Sequence, residues 1–107
     1  MAQIVWTEPA LADLDAIADY IAIENPTAAS ALVQRVVKHV EQLLEFPESG
    51  SKPLDLGPNS RYRQIVEPPC RVFYRFDGSI VLILHVMRAE RHLRPRLLSK
   101  RAARTKS

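Results

Sequence analysis

The segment CRVFYRF at residues 70–76 sets Arg71, Phe73 and Arg75 at alternate positions, and RYRQIVE at 61–67 opens with Arg61 and Arg63. Side chains two apart on an extended strand leave the same face of a sheet. Pleating therefore predicts that Arg61, Arg63, Arg71 and Arg75 share an outward cationic face with Phe73 inside it. Guanidinium forks match phosphate and carboxylate oxygens, and a ring among them offers a stacking surface. Such a face suits nucleic acid or an acidic protein groove. The plainer alternative is a solvated sheet face on which the arginine stems cover Phe73.

His85, near the end of the last β-prone run and close to Arg88, has the chemistry of a general acid or base. Alternation puts it in the row of Val81, Ile83 and Met87, so a buried or edge histidine with one hydrogen bond is the competing expectation. Cys70 is the single cysteine and can form no internal disulfide. Beside His85 it lacks a third group to orient it, and lone buried thiols are inert. His39, His85 and His92 have no metal-ligand spacing, so neither a metal nor another cofactor is expected.

The elements that must position these residues belong to one unit. A length of 107 residues with 47 % hydrophobic and 25 % charged side chains fits one soluble domain. No run approaches the roughly 18 apolar residues that span a bilayer. The opening MAQIVWTEPA lacks the basic start and apolar run of a signal peptide, so a cytoplasmic protein without a membrane partner is expected. Residues 1–87 carry a net charge of −4, whereas 88–107 carry +7. The expected division is a domain over 1–94 and a basic tail over 95–107, read either as a partner-seeking arm or as a disordered terminus.

QIVW at 3–6 reads as a strand, and Thr7 caps a helix that begins with Glu8 and Pro9. Leu11, Leu14, Ile17, Ala18 and Ile21 recur at helical spacing up to about Glu24. Asn25-Pro26 ends that helix and starts a second, whose stripe runs through Leu32, Val36, Val40 and Leu43 until Pro47 stops it. A Pro/Gly/Ser-rich loop over 47–60 leads to three strands at 61–67, 70–76 and 79–87. Asp77-Gly78 predicts a two-residue type I′ hairpin. The last strand is apolar at nearly every position, as expected of a central strand. The order β-α-α-β-β-β defines an α+β fold, a helical hairpin on a small, mainly antiparallel sheet followed by a basic tail.

ALADLDAIADYIA in the first helix, FPESG after the second, YRQIV, and RVFYRFDGSIVLILHVMRAER, in this order and spacing, resemble the RelE/ParE superfamily of type II toxins, which includes plasmid stabilisation proteins. The resemblance covers the chain up to Arg94. It implies a small bacterial toxin held inactive by a co-expressed, acidic antitoxin. RelE-like members cut messenger RNA in the ribosomal A site, whereas ParE-like members poison DNA gyrase without catalytic residues.

By this resemblance, Arg71 matches the ribonucleases' strand arginine and Arg63 a strand lysine or arginine, while Arg88, Glu90 and Arg91 are similar to the basic turn after the last strand. A second strand cation falls near Ile65, and the downstream tyrosine has no counterpart between His92 and Ser107. Both departures favour gyrase-directed binding over cleavage. A ribonuclease would use Arg63, Arg71, His85 and Arg88. A binding toxin would present Arg61, Arg63, Arg71, Phe73, Arg75, Arg88 and Arg91 to its target or antitoxin. A plain nucleic-acid-binding module working through the tail is the third reading.

Overall fold

The computed structural model describes residues 2–104. The first strand, β1 (Gln3–Trp6), ends at Thr7. The Thr7 hydroxyl oxygen accepts from the Ala10 amide at 3.3 Å, and its O–H donates to the Ile83 carbonyl at 2.8 Å. One side chain thus starts α1 (Glu8–Ala22) and fixes its first turn to the sheet. Asn25 performs the same capping for α2 (Pro26–Glu41), its Oδ1 accepting from the Ala28 amide at 3.0 Å. Proline at the start of each helix lacks only an amide that would have no helical partner.

Three further strands follow, β2 (Tyr62–Glu67), β3 (Cys70–Phe76) and β4 (Ile80–Arg88), in the sheet order β1-β4-β3-β2. The helical hairpin carries the chain from β1 at one edge of the sheet to β2 at the other, and the antiparallel run β2-β3-β4 then brings β4 back beside β1, to which it is parallel. β4 is central, as its apolar run predicts. On one face Ala10, Leu14, Leu32, Val36 and Val40 of the helices pack against Val72, Tyr74, Val81 and Ile83.

The other face is also covered, which accounts for a strand apolar at almost every position. Residues expected to form a tail contain a third helix, α3 (Leu97–Arg104). Leu98 and Ala102 turn inward and join Phe73, Leu82, Leu84, Met87 and Leu93 in a second core. Leu98 is 1 % exposed, a burial that stabilises by about 1.5–3 kcal/mol. The helix spans most of the segment expected to be a basic tail, and residues 105–107 lie outside the described residues.

Two local expectations are corrected. The β3–β4 turn is centred on Gly78 and Ser79, closed by the Asp77 amide donating to the Ile80 carbonyl at 3.0 Å. Only Gly78 has positive φ, at 84°, so type I′ geometry is absent and the pattern is that of a II′ turn. β4 also carries a bulge: Phe73 pairs with His85 and Tyr74 with Ile83, leaving Leu84 without an opposite residue. Beyond Leu84 the alternation is reset. His85 therefore leaves the face of Val81 and Ile83 and stacks on Phe73, with ring centroids 5.8 Å apart.

Candidate functional site

The shared outward arginine face does not form. Arg63 lies opposite Tyr74 and Gln64 opposite Phe73, so Arg63 points to the helix face of the sheet while Arg71 points to the α3 face. Phe73 is fully buried in the second core, and Arg71 is only 9 % exposed. The alternation within each strand was read correctly, but the register between β2 and β3 separates the two sets. Arg61 precedes β2 and is exposed.

Each strand arginine is instead engaged. Arg71 donates from Nε to Gln64 Oε1 at 2.8 Å, from Nη2 to Asp55 Oδ1 at 2.5 Å and from Nη1 to the Arg91 carbonyl at 3.4 Å, with its guanidinium 4.7 Å from the Phe73 ring centre. Asp55 Oδ2 accepts from the Leu93 amide at 3.3 Å. The hydrogen bond from Arg71 is the main reason the Asp55 carboxyl is held below the usual aspartate range. This pair ties the loop after α2 to the segment after β4, so Arg71 braces the basic turn. Arg63 donates to the Gly50 carbonyl at 2.9 Å and lies 3.7 Å from Glu48. Arg75 pairs with Asp77 at 2.8 Å.

A different constellation assembles at the end of β4. β1 pairs with β4 only as far as Ile83, so the strand edge beyond needs another partner. Asp13 of α1 supplies it, its Oδ2 accepting from the Val86 amide at 3.1 Å. The same oxygen lies 2.7 Å from His85 Nδ1 and 2.6 Å from Arg101 Nη1. Arg101 Nη1 also donates to the Leu84 carbonyl at 3.0 Å, which uses both of its hydrogens. Its 2.9 Å approach to His85 Nδ1 is therefore a close contact, and Nδ1 carries its own proton toward Asp13. Burial works to raise the Asp13 carboxyl, but hydrogen bonds from His85, Arg101 and Val86 together outweigh it and hold the group below its ordinary value.

His85 Nε2 has no protein partner among the described residues, yet no side-chain nitrogen or oxygen there is both buried and unsatisfied, so Nε2 is reached by solvent. It faces an open groove of about 850 Å³ between α1, the end of β4 and the segment entering α3. Ile17 and Tyr20 line it from α1, Arg88 from the last position of β4, and Arg91 and Arg94 from the segment after it. Arg88 is paired with exposed Glu90 at 2.8 Å, while Arg91 and Arg94 form no ion pair among the described residues. The arrangement offers anion binding beside an imidazole whose tautomer is fixed.

Of the residues named from sequence, His85, Arg88 and Arg91 are brought to this groove. Arg61, Arg63, Arg71, Phe73 and Arg75 are not among those lining it. Asp13, Tyr20 and Arg101 were missed. Asp13 gave a signal, since it sits three residues after buried Ala10 and four before Ile17, within the inward stripe of α1. Arg101 could be found only by recognising α3. Cys70 is buried, and burial pushes its thiol up, away from the reactive thiolate. Among the described residues no group of three or more His, Cys, Asp or Glu could hold a metal ion, and no helix is long and apolar enough to cross a membrane.

A helical hairpin on one face of a four-stranded mixed sheet, with a groove lined by arginines at the end of its central strand, defines a small α+β protein. The family model described as the ParE toxin of type II toxin-antitoxin systems, parDE, matches residues 4–93. Toxin RelE2 of Caulobacter vibrioides is 37 % identical over 91 residues, spanning 85 % of this chain and 99 % of the relative. Toxin ParE3 of the same organism is 30 % identical over 101 residues, 94 % of this chain and 99 % of that protein. The toxin fold in the chromosomal ParDE system of P. aeruginosa superposes with a TM-score of 0.69 at 31 % identity, covering 84 % of this chain and 98 % of that one. A chain of the RelBE2 toxin-antitoxin complex of Mycobacterium tuberculosis, at 22 % identity and a TM-score of 0.53, shares the fold over 81 % of this chain and 96 % of its own length. The chain belongs to the ParE toxin family of type II toxin-antitoxin systems, within the RelE/ParE superfamily.

Proposed function

We propose that this toxin arrests growth by binding its target rather than by cleaving it, that the target is DNA gyrase, and that a small acidic antitoxin holds it inactive in the cytoplasm. The observation that supports binding is the separation of Arg63 from Arg71 on opposite sheet faces, each engaged by a carboxylate. A ribonuclease without metal needs its cations gathered around one phosphate. The likeness to a chain of the chromosomal ParDE system of P. aeruginosa supports an antitoxin partner. Induced expression without antitoxin is expected to arrest growth, and the purified chain to inhibit supercoiling by gyrase. Cells that stay healthy, or gyrase that keeps its full activity, would reject the reading.

A second reading, ribosome-dependent cleavage of messenger RNA, draws on the pairing of Asp13 with His85. A carboxylate at Nδ1 leaves Nε2 as the nitrogen that exchanges a proton with solvent or substrate. Arg88 and Arg91 lie on the same groove. Cleaved messages in arrested cells would favour this reading.

A further inference from the structure

The groove beside His85 combines features to which the proposed action on gyrase assigns no role. One wall is strongly cationic, since the chain from residue 88 onward carries eight Lys and Arg against one acid. Arg91 and Arg94 line the groove and form no ion pair among the described residues. Their backbone is fixed: the Ala89 amide donates to the Pro69 carbonyl at 2.8 Å, the Arg91 carbonyl accepts from Arg71, and the Leu93 amide donates to Asp55. The guanidinium groups are thus carried on an anchored segment, which reduces the entropy lost when they meet a ligand. Asp13, the carboxylate nearest His85, is already neutralised by Arg101.

The other wall differs in kind. Ile17 and Tyr20 present apolar surface, and Tyr20 is 72 % exposed. A volume of about 850 Å³ lies within the range of small-molecule sites. Bidentate guanidinium donors suit a phosphate, an exposed aromatic suits a flat ring, and an accessible imidazole nitrogen suits a hydroxyl or phosphate oxygen. We infer that this groove is a binding site for a nucleoside phosphate, with Arg91 and Arg94 on the phosphate, Tyr20 against the base and His85 Nε2 as a further polar contact. An acidic peptide satisfies the arginines but leaves the Tyr20 ring and the imidazole without matching groups, so the phosphate ester is the better fit.

The test uses the purified full-length chain, with adenosine 5′-monophosphate, a tetranucleotide of single-stranded DNA, inorganic phosphate and a tetraglutamate peptide as probes. Calorimetry measures affinity, and the His85 ring resonances report occupancy. Adenosine monophosphate is expected to bind at one site, shift the His85 signals saturably and bind more tightly than inorganic phosphate. Equal or better binding of the mononucleotide identifies a free nucleotide as the source, whereas a tetranucleotide bound at least tenfold more tightly identifies a nucleic-acid strand. The double substitution Arg91→Ala/Arg94→Ala should weaken binding at least tenfold. Tyr20→Ala should weaken the nucleotide but not inorganic phosphate, and Lys52→Ala should change neither. Both arginines are exposed and make no side-chain bond to the core among the described residues, so folding survives their loss, which circular dichroism verifies. No saturable His85 shift with either nucleotide probe, unchanged affinity in the double variant, or tighter binding of tetraglutamate would overturn the inference. Binding is read on the purified chain, so the result stands apart from any outcome for growth arrest or gyrase.

Discussion

Asp13 of α1 and Arg101 of α3, 88 positions apart in the chain, meet at 2.6 Å beside His85. The contact fastens the last helix to the first across the end of the central strand. Its two side chains are mostly buried, 20 % and 18 % exposed, so neither is a loosely solvated surface charge.

Asp13→Ala removes the partner of three donors at once: His85 Nδ1, Arg101 and the Val86 amide. Leaving such groups unmatched costs on the order of 2–3 kcal/mol. Urea denaturation should show that loss. Hydrogen exchange should quicken at the amides of α3 more than at those of α2; equal protection in both helices would reject the fastening role.

Acid should expose the same contact. The Asp13 carboxyl in the folded chain lies below its ordinary value of 3.8, held there by its hydrogen bonds against the opposing effect of burial. A carboxylate with a depressed folded-state pKa contributes stability that is complete above the unfolded value and disappears as pH falls through the folded one. The contribution of Asp13 should therefore persist through neutral pH and be lost below about pH 3.8. Asp55, lowered chiefly by Arg71, acts in the same direction. Denaturation midpoints from pH 6 to 2.5 should fall less steeply for Asp13→Asn than for the unaltered chain, and parallel curves would contradict this.

Arg71→Ala is expected to damage the fold. It deprives Asp55, Gln64 and the Arg91 carbonyl of a donor and uncovers one face of Phe73. The expected cost is about 2–4 kcal/mol, visible as a lower melting temperature. If stability were unchanged while function vanished, Arg71 would be a ligand-facing residue after all.

Gly50 sits where no side chain fits. A β-carbon there would lie 2.5 Å from Tyr74 Oη and 2.7 Å from the Gln64 carbonyl oxygen. The Gly50 amide donates to the buried Tyr74 oxygen at 2.9 Å. Gly50→Ala should destabilise by about 1–3 kcal/mol through overpacking, and Tyr74→Phe by about 1–2 kcal/mol through loss of the acceptor. Thermal melts of the two variants measure both effects; a Gly50→Ala protein as stable as its parent would show that the loop shifts freely.

The helices and strands were legible because their apolar spacing is local information. Thr7 and Asn25 announced both helix starts, and the unbroken apolar run of β4 announced its central place. The site was less legible because it depends on relations between segments. Cross-strand register, which put Arg63 opposite Tyr74, is not written in either strand alone. The bulge at Leu84 moved His85 to a face that simple alternation denied it. α3 was hidden by its charge: three cations among eight residues mask the inward positions Leu98 and Ala102. Without that helix, the second sheet face reads as open to solvent and its arginines as free.

The most direct measurement maps the 5′ ends of messenger RNA in cells arrested by this chain, beside the same cells expressing His85→Ala. A toxin that acts by binding leaves messages intact in both, with a DNA-damage response in the arrested culture. Codon-phased cuts within translated messages that disappear in His85→Ala would show that the groove is catalytic and that the toxin is a ribonuclease.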